Sequence, residues 1–499
     1  MMQLRNFPTR DSFRAACDTA NVIPICSEIL ADTETPVSIL GKYYRQNTDL
    51  FLFESVEGGE RWGRFSFMGT SAHSHIHVFR DDVVVAVNGM EQRIPHEGDP
   101  LAVLRAIMAE YRPADLPGLP RFWGGLVGYI TYEAVSFLEA IPHQWPVDKA
   151  LAHFVIPDEL LIFDNVSHTL TLVVLSFVSS SCAPDTAYDD ARKRLKRQLK
   201  RLAEPLTQVP DVAADGEARP LQAVHPEGDF KNAVRQVKEH IRAGDIIQAV
   251  ISQPFVCDSP PDIWSLYRAQ RYINPSPYLF FLNLDGMALV GSSPETMVRL
   301  ENGSATLRPI AGTRPRGSND REDRNLASEL LEDEKEKAEH LMLVDLGRND
   351  LGRVAETGTV QVTDLMVVER YSHVMHLVSN ITCDLQPGYD AFDLLAATFP
   401  AGTLSGAPKI RAMEIIADLE KEPRGPYGGA VGYISFGGNM DMAITIRTAC
   451  IEGNRLTVRA GAGIVADSDP ESERLETVNK AKAMERALKM LAPRTLKGA

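Results

Sequence analysis

Two nearly identical segments, far apart in the chain, constrain the fold more than any other feature. GGLVGYITY spans residues 124–132 and GGAVGYISF spans residues 428–436, and each places a glycine pair before a β-prone run. Glycine inside a strand often marks a site where another backbone approaches closely. We therefore interpret both segments as strands of closely packed sheets. Two copies this far apart are too few for a solenoid.

The pattern of the remaining chain predicts three parts. Residues 1–203 mix strand-like runs such as HSHIHVF and TLTLVVLSFV with a few helices, one of them the basic stretch 191–203. Residues 204–227 are rich in Pro, Ala, Asp and Glu and lack periodic apolar residues, which predicts a linker. Residues 228–499 alternate helical and strand patterns. This mixture of strand and helix patterns favours an α+β fold in which sheets pack together and helices lie outside them.

Charge and composition exclude several classes of protein. The net charge of −15 over 499 residues argues against nucleic acid or an anionic membrane as the main partner. An anionic substrate stays possible, because a bound cation or a few arginines reverse the field locally. No apolar run reaches the length of a membrane-spanning helix, and the first residues lack a secretory apolar core, so we expect a cytoplasmic protein. The six scattered cysteines predict reduced thiols, without a disulfide framework or a zinc site.

The stretch DEKEKAEHLMLVDLGRND, residues 333–350, carries a pair of carboxylates. Glu336 and Glu339 are three apart and project from the same side of a helix. On a helical wheel Glu339 falls inside the apolar stripe, where a solvated charge would not lie. The alternative is an ordinary salt-bridged helix, with Lys335 and Lys337 as partners.

A second stretch, PESERLETVNK at residues 470–480, repeats the spacing with Glu473 and Glu476. Ser468 or Asp469 would cap this helix. Acids in a first helical turn also complement the helix dipole, so this pair has a purely structural explanation as well. Two such pairs in one cleft could stay ionised and close only with a cation between them. Oxygen ligands without a His or Cys cluster suit Mg²⁺.

Anion-binding candidates lie between the second glycine-led strand and the second acidic helix. Arg447 sits in an otherwise apolar strand pattern, where it would bind either a substrate carboxylate or an internal Asp or Glu. Gly461, Ala462 and Gly463 lead toward a helix start and could offer backbone N–H groups to an anion. No phosphate-binding GxxxxGK[ST] motif is present, which argues against a P-loop enzyme. His376 lies in an apolar run, where a lone histidine is more often a hydrogen-bonded core residue than a catalyst.

Taken in order, these motifs resemble one family. PIAGTRPRG, DEKEKAEHLMLVDLGRND, YSHVMHLVS, GTLSGAPK, GPYGGAVGYISF and GAGIVADSDPESERLET together resemble the chorismate-utilising enzymes, most closely the large subunits of the members that form anthranilate. The resemblance is dense over about residues 228–490 and reaches the N-terminal part through FLFESVEGGERWGRFSFMG and FWGGLVGYITYE. It implies a four-layer α/β/β/α sandwich with the cleft between the sheets.

The resemblance also implies roles for individual residues. Mg²⁺ would bind one chorismate carboxylate, held directly or through water by Glu339 and Glu476 as first choices, with Glu336 and Glu473 beside them. Glu295 would donate a proton to the leaving hydroxyl, and His376 would act as acid–base in expelling pyruvate. Thr403, close to the ring, is implied as a third catalytic residue. The residues implied to bind the substrate are Gly312, Thr313, Tyr427, Arg447, Gly461, Ala462, Gly463 and Gln248.

Two positions separate the branches of this family. Members that add water to chorismate, the isochorismate and salicylate synthases, place a lysine base where this chain has Gln248; glutamine cannot deprotonate water, so ammonia is the better nucleophile. Aminodeoxychorismate synthases typically carry a nucleophilic lysine where this chain has Ala311, which implies direct attack of ammonia at C2. Three alternatives stay open: an aminodeoxyisochorismate synthase that keeps the pyruvyl group, an aminodeoxychorismate synthase, and a non-catalytic regulator that binds tryptophan or chorismate.

The resemblance further implies regulation and a partner. Ser55, Pro277, Tyr278 and Leu279 match segments that bind tryptophan as a feedback inhibitor of the first committed step of its synthesis, although Leu279 replaces a common methionine. None of the cysteines lies in a GxCxG nucleophile elbow. We therefore expect ammonia to come from a separate glutamine amidotransferase subunit in a heteromeric complex.

Overall fold

The structure is a computed structural model, and it describes residues 2–45, 48–55, 63–179, 182–206, 220–371 and 374–491. The described helices, labelled α1 to α11 in chain order, are Arg10–Ala16, Pro36–Tyr43, Pro100–Ala109, Pro184–Leu202, Glu227–Ala243, Ile263–Ile273, Asp320–Glu332, Glu334–Gly352, Ala391–Thr398, Lys409–Leu419 and Pro470–Met490. Two short 3₁₀ turns lie at Tyr132–Phe137 and Gly402–Leu404.

The strands, labelled β1 to β23 in chain order, are Gln3–Phe7, Val22–Leu30, Leu50–Glu54, Phe65–Val78, Asp82–Val87, Met90–Pro95, Gly125–Ile130, Ala152–Asp164, Thr169–Phe177, Gln222–Ala223, Gln248–Cys257, Tyr278–Leu284, Met287–Ser293, Thr296–Glu301, Ser304–Leu307, Ile310–Pro315, Gln361–Arg370, Val374–Asp384, Gly406–Ala407, Ala430–Ser435, Met440–Ile444, Thr448–Glu452 and Arg455–Ile464.

The strands form a continuous hydrogen-bonded network, and its apolar clusters show how the layers stack. A central cluster draws on inward-facing strand residues such as Phe67, Tyr129 and Phe280, so it lies between sheet faces. Two larger clusters combine strands with helices; Leu351 of α8 belongs to one and Leu488 of α11 to the other. Helices therefore cover the outer faces of packed sheets, which confirms the predicted α+β fold.

The two glycine-led segments are strands β7 and β20, as expected, and they are also each other's partners. They pair antiparallel, with Gly128 opposite Gly432. A Cβ atom built on Gly128 would lie 2.0 Å from the carbonyl oxygen of His153 on the next strand. Only glycine allows this approach, so the repeat marks the seam where the N-terminal and C-terminal parts join one sheet. A second seam pairs β3 with β12.

Several finer expectations meet different outcomes. The basic stretch predicted as a helix over 191–203 belongs to α4, which begins earlier, at Pro184. The motif PIAGTRPRG contains strand β16, which pairs with β18 through residues 310–315. The division into parts at residues 204–227 stays a prediction, and residues 207–219 lie outside the described residues.

All six cysteines are free, as expected. No described helix is long and apolar enough to cross a membrane.

Helices α8 and α11 bring the two acidic motifs to the sheets. Asp333 caps α8 by accepting hydrogen bonds from the backbone N–H groups of residues 335 and 336. Asp469, one of the two predicted caps, accepts from the N–H of Ser472 at the start of α11. Helix α8 packs on β16 and β18, and α11 packs on β23. These strands and helices enclose the cavity described next.

Candidate active site

A cavity of about 260 Å³ opens between strands β11, β16, β18 and β23 and helices α8 and α11. Most of the residues predicted from the sequence line it. They are Gln248, Glu295, Thr313, Glu339, His376, Thr403, Tyr427, Arg447, Gly461, Gly463 and Glu476. Ala311, at the position that separates two branches of the family, also faces the cavity. The fold thus collects residues that lie more than two hundred positions apart in the chain.

Both acidic helices contribute a carboxylate to this cavity. Glu339 of α8 and Glu476 of α11 line it together. Burial, with the charges of Glu336 and Glu476, raises the pKa of Glu339, and Gln248 offsets part of this with a hydrogen bond of 3.3 Å from Nε2. Glu476 accepts from Lys480 Nζ at 2.7 Å. Among the described residues Glu339 has no cationic side chain within ion-pair distance, and the more distant charge of Lys335 offsets only part of the rise in its pKa.

The other two predicted glutamates stand beside the cavity and do not line it. Glu336 forms an ion pair of 3.3 Å with Arg314, which also binds Asp333 and Glu329. Glu473 accepts a hydrogen bond from Ser468, while burial and Glu476 raise its pKa. These partners hold both side chains away from the space that Glu339 and Glu476 face.

The donor set fits a hard cation that keeps part of its water shell. Within the described part of the chain, no three His, Cys, Asp or Glu side chains converge on one point as metal ligands. Two carboxylates, one of them without a counter-ion, match Mg²⁺, which commonly takes one or two protein carboxylates and completes its shell with water and an anionic substrate. Glu339 and Glu476 are therefore the residues that would hold it.

Arg447 supplies a positive charge that lacks an acidic partner among the described residues. Its Nη1 donates to the backbone carbonyl of Lys480 at 3.1 Å, and no carboxylate lies within ion-pair distance. Burial lowers the pKa of its guanidinium. The residue has a left-handed φ of 53°, held by hydrogen bonds from Gln270 and Ser292 to its carbonyl. Of the two expected partners, an internal acid or a ligand carboxylate, only the ligand is left within the described residues.

The glycines of β23 leave room on the same side of the cavity. A Cβ on Gly461 would lie 2.7 Å from the Tyr427 hydroxyl, and one on Gly463 would lie 2.5 Å from Gln248 Nε2. The expectation that these residues form a loop at a helix start is wrong, because they lie within a strand paired with β11. Alternation along that strand turns the side chain of Ala462 to the opposite face, where it packs in an apolar cluster. Only its backbone remains available to a ligand.

The carbonyl of Gly312 sets the protonation of His376. Nδ1 of the ring lies 2.9 Å from Gly312 O and 3.1 Å from Thr313 Oγ1. A carbonyl only accepts, so we assign the proton to Nδ1, which leaves Nε2 unprotonated in the neutral ring. Gly312 has φ 65° at an irregularity of the β16–β18 pairing, and this conformation turns its carbonyl toward the ring.

Glu295 lies in the wall of the cavity just before β14 and is 9% exposed. Burial raises the pKa of its carboxyl to about 7, against smaller lowering effects of Thr403 and Lys480. A carboxyl with this pKa is half protonated at neutral pH and can act as a general acid. Thr403 lies next to it in the 3₁₀ turn.

Two cationic residues of the cavity were missed from the sequence. Lys480 donates to Glu476 and, at 2.8 Å, to the carbonyl of Gly461. It lies four residues after Glu476 on one helix, a spacing that could have indicated the pair. Arg459 shares a strand face with Gly461 and Gly463 and lines the same cavity, so alternation along RAGAG was the available signal.

The four residues expected to bind an inhibitor also meet at one place. Ser55, Pro277, Tyr278 and Leu279 line a separate cavity of about 50 Å³ at the seam of β3 with β12. Its polar wall holds Asp441, which accepts from the Tyr278 hydroxyl at 2.8 Å and pairs with Arg121 at 3.0 Å. Residues 56–62 of the same sequence motif lie outside the described residues.

Comparisons with known proteins agree on one family. The model of a family described as chorismate binding enzyme matches residues 57–486. Component 1 of anthranilate synthase from Aquifex aeolicus (strain VF5) is 45% identical, over 96% of this chain and 97% of that protein. The crystal structure of anthranilate synthase component I from Streptococcus pneumoniae TIGR4 superposes with a TM-score of 0.74 at 36% identity, covering 92% of this chain and 99% of that one. The menaquinone-specific isochorismate synthase of Escherichia coli gives 0.71 at 21% identity, covering 94% and 95%, and shows the fold alone.

Removing the charge of Glu339 should stabilise the metal-free protein. The raised pKa means that the ionised carboxylate is disfavoured in the folded state, so folding loses stability as pH rises above 4.5, the ordinary value for this group. We expect Glu339→Gln to raise the midpoint of thermal unfolding in EDTA at pH 7 by about 1–2 °C, a gain that shrinks toward pH 4.5.

The matched control is Glu336→Gln on the same helix, which breaks the ion pair with Arg314 and should not raise the midpoint. A Glu339→Gln protein that melts at or below the wild-type temperature contradicts this account of the cavity.

Proposed function

The chain belongs to the chorismate-binding enzymes, and on that premise we propose that it forms anthranilate from chorismate as a large subunit supplied with ammonia by a separate glutaminase. Ammonia adds at C2 as the C4 hydroxyl leaves, and loss of pyruvate then gives the aromatic ring. The observation that carries this proposal is the charge pattern of the cavity. Glu339 is an acid without a cation and Arg447 a cation without an acid among the described residues. A ligand with two carboxylates, together with Mg²⁺, would neutralise both.

Each end of the substrate has a binding group. Arg447, Tyr427 and the open face of Gly461 would hold the enolpyruvyl carboxylate, since a guanidinium and a hydroxyl both donate to it. Mg²⁺ held by Glu339 and Glu476 would supply the positive charge that the ring carboxylate needs. Gln248 stays near this end through its hydrogen bond to Glu339.

The chain's own residues can move the protons. Glu295, protonated in part at neutral pH, would donate to the departing C4 hydroxyl, which leaves as water. His376 carries its proton on Nδ1 against Gly312, so Nε2 would take the proton from C2 as the enolpyruvyl oxygen leaves. Gln248 has no basic lone pair to activate water, and Ala311 cannot form a covalent adduct, which supports direct attack by ammonia.

The orientation of His376 favours the complete reaction over its alternatives. An aminodeoxyisochorismate synthase would stop before the C2 proton is removed and would need no base at that point. An aminodeoxychorismate synthase would require a nucleophile where Ala311 stands. The non-catalytic regulator is set aside, because the family consists of enzymes.

Three further parts of the proposal concern regulation, partner and location. The cavity at Ser55, Pro277, Tyr278 and Leu279 would bind L-tryptophan as feedback inhibitor, with Asp441 and Glu54 as acids for its ammonium group. The glutaminase would be a glutamine amidotransferase chain, and the pair would work in the cytoplasm at the first committed step of tryptophan synthesis. The six free cysteines agree with that location.

The direct test mixes the purified chain with chorismate, an ammonium salt and Mg²⁺. We expect anthranilate fluorescence with an equal amount of pyruvate, and no product in EDTA. Glu339→Gln and Glu476→Gln should each lower the rate at least about 100-fold, because each removes a ligand of the cation. Glu336→Gln, whose carboxylate faces Arg314, should lower it less. No product refutes the proposal, and amination without pyruvate selects the aminodeoxyisochorismate synthase.

The pH dependence tests Glu295. A general acid is active in its protonated form, so kcat/KM for chorismate should fall about tenfold per unit as pH rises above about 7. The ammonium salt must be adjusted at each pH to keep the concentration of unprotonated ammonia constant. A value of kcat/KM that still rises to pH 9 under that condition rules out Glu295 as the acid. Glu295→Gln should bind chorismate but form no product.

Tryptophan inhibition is tested in the same assay. We expect L-tryptophan to lower the wild-type rate, and Ser55→Leu to raise the half-inhibiting concentration at least about tenfold, because the larger side chain fills part of the cavity. Wild-type enzyme that is unaffected by millimolar L-tryptophan refutes the regulatory part and leaves the catalytic part standing.

A further inference from the structure

A small cavity, here called the rear cavity, lies behind the wall of the substrate cavity that carries Glu295. It measures about 50 Å³ and is lined by residues of helix α8, strand β14 and the 3₁₀ turn at Gly402–Leu404. Glu295, Thr403 and Leu343 line both cavities, and the first two of these side chains are polar. Every residue that lines the rear cavity is buried or half-buried. One acid and one hydroxyl therefore separate the two spaces.

The rear cavity is polar enough and large enough to hold water. The hydroxyl of Thr403 lies near enough to the Glu295 carboxyl to lower its pKa, yet it is buried and makes no hydrogen bond of ordinary length with a described residue. Asp350 and Arg308, the latter paired with Glu369, add charged groups to the wall. A buried hydroxyl without a partner is costly unless water satisfies it. The cavity has room for about two or three water molecules, which would connect these groups.

Asp350 connects the rear cavity to solvent. Lys409 donates to its Oδ2 at 2.8 Å, and the side chains of Lys409 and Asp350 are 14% and 12% exposed. Burial raises the pKa of Asp350, against smaller lowering effects of Lys409 and Arg353. A carboxyl of this kind, in contact with both solvent and an internal cavity, can take up a proton and pass it on. The mechanism proposed above uses neither residue of this ion pair, although both lie in motifs singled out from the sequence.

Glu295 has to regain a proton in every turnover. It gives one to the C4 hydroxyl, which leaves as water, and the acid becomes a carboxylate. The ammonium group formed at C2 loses one proton, so the overall reaction consumes none, but Gln248 at that end is not a base that could pass it on. Lys480, which faces Glu295 from α11, is already engaged by Glu476. The rear cavity is the second space that Glu295 lines, and a ligand in the substrate cavity does not fill it.

We propose that the rear cavity is the path by which Glu295 regains its proton, and that Asp350 delivers that proton from solvent. This inference rests on the proposed function, in which Glu295 is the general acid. A water molecule bound to Thr403 would protonate the Glu295 carboxylate and take a proton in turn, through a second water, from protonated Asp350. Asp350 would then take one from solvent, so each step moves a single proton. Lys409 is a positioning residue, because it holds the Asp350 carboxyl at the cavity.

The test measures the first turnover and the steady state separately, with the purified chain, chorismate, an ammonium salt and Mg²⁺ at about pH 6.5. In Asp350→Asn, Glu295 starts protonated to the same extent as in the wild type, so the first equivalent of anthranilate should form at a rate within about twofold of the wild-type rate after rapid mixing. Later turnovers wait for the proton, so the steady-state rate should fall at least about tenfold. Imidazole, a small proton carrier, should restore most of that rate at constant pH and constant free ammonia, and should not change the wild-type rate.

The matched control is Asp345→Asn on the same helix. Asp345 is an exposed acid that pairs with Arg348 and does not line the rear cavity, so both rates should stay at their wild-type values. A second variant, Ala401→Leu, covers the case in which Asp350→Asn does not fold. Its longer side chain would displace water from the rear cavity and should give the same difference between first turnover and steady state.

Two results would overturn the proposal. Equal slowing of the first turnover and of the steady state would make Asp350 a structural residue, and an unchanged steady-state rate would leave the rear cavity without a role. Failure of the wild-type chain to form product, or full activity of Glu295→Gln, is a different result, because it refutes the proposed function itself.

Discussion

The chemistry depends on charges that the protein leaves unbalanced in one cavity. A charge removed from water is costly unless an opposite charge lies close to it. Two glutamates near the cavity meet this rule: Glu336 faces Arg314, and buried Glu420 is shared by Arg424 and Arg459. Glu339 and Arg447 depart from it within the described residues. Helix α8 and the strands around Arg447 are fixed by their own packing and capping, which holds these two charges in place for a ligand of matching charge.

This arrangement requires strands from both ends of the chain to be held rigidly. The close β7–β20 pairing places Tyr132 and Glu133 directly after one strand of the seam, where Glu133 binds the backbone that leads to Tyr427. The N-terminal part thus takes part in shaping the substrate cavity through the glutamate that follows its glycine-led segment, although none of its described residues lines that cavity. The second seam, of β3 with β12, carries the proposed inhibitor site, so both sites depend on how these parts are joined.

Features of the site that arise within one helix could be predicted from the sequence, whereas contacts between separate helices and strands could not. The cap at Asp469 and the inward position of Glu339 follow from residue type and spacing within one helix, and both are confirmed. The outward position of Ala462 was missed because an alternating strand could not be told from a loop without knowing that β11 pairs with it. The ion pair of Glu336 with Arg314 joins separate elements, and sequence spacing carries no information about such contacts. Placement of the remaining predicted residues in one cavity supports the roles proposed for them.

The fold alone cannot decide which nucleophile the enzyme uses, since an isochorismate synthase shares it at 21% identity. The difference must lie in a few side chains of the cavity. Water reaches any open cavity, so an enzyme that adds water needs only a base, and Gln248 does not provide one. Under the proposed function the nucleophile is ammonia, which carries a basic lone pair of its own and needs no such base. On this view Gln248 contributes to the specificity of the site by withholding from water the base that a lysine would supply.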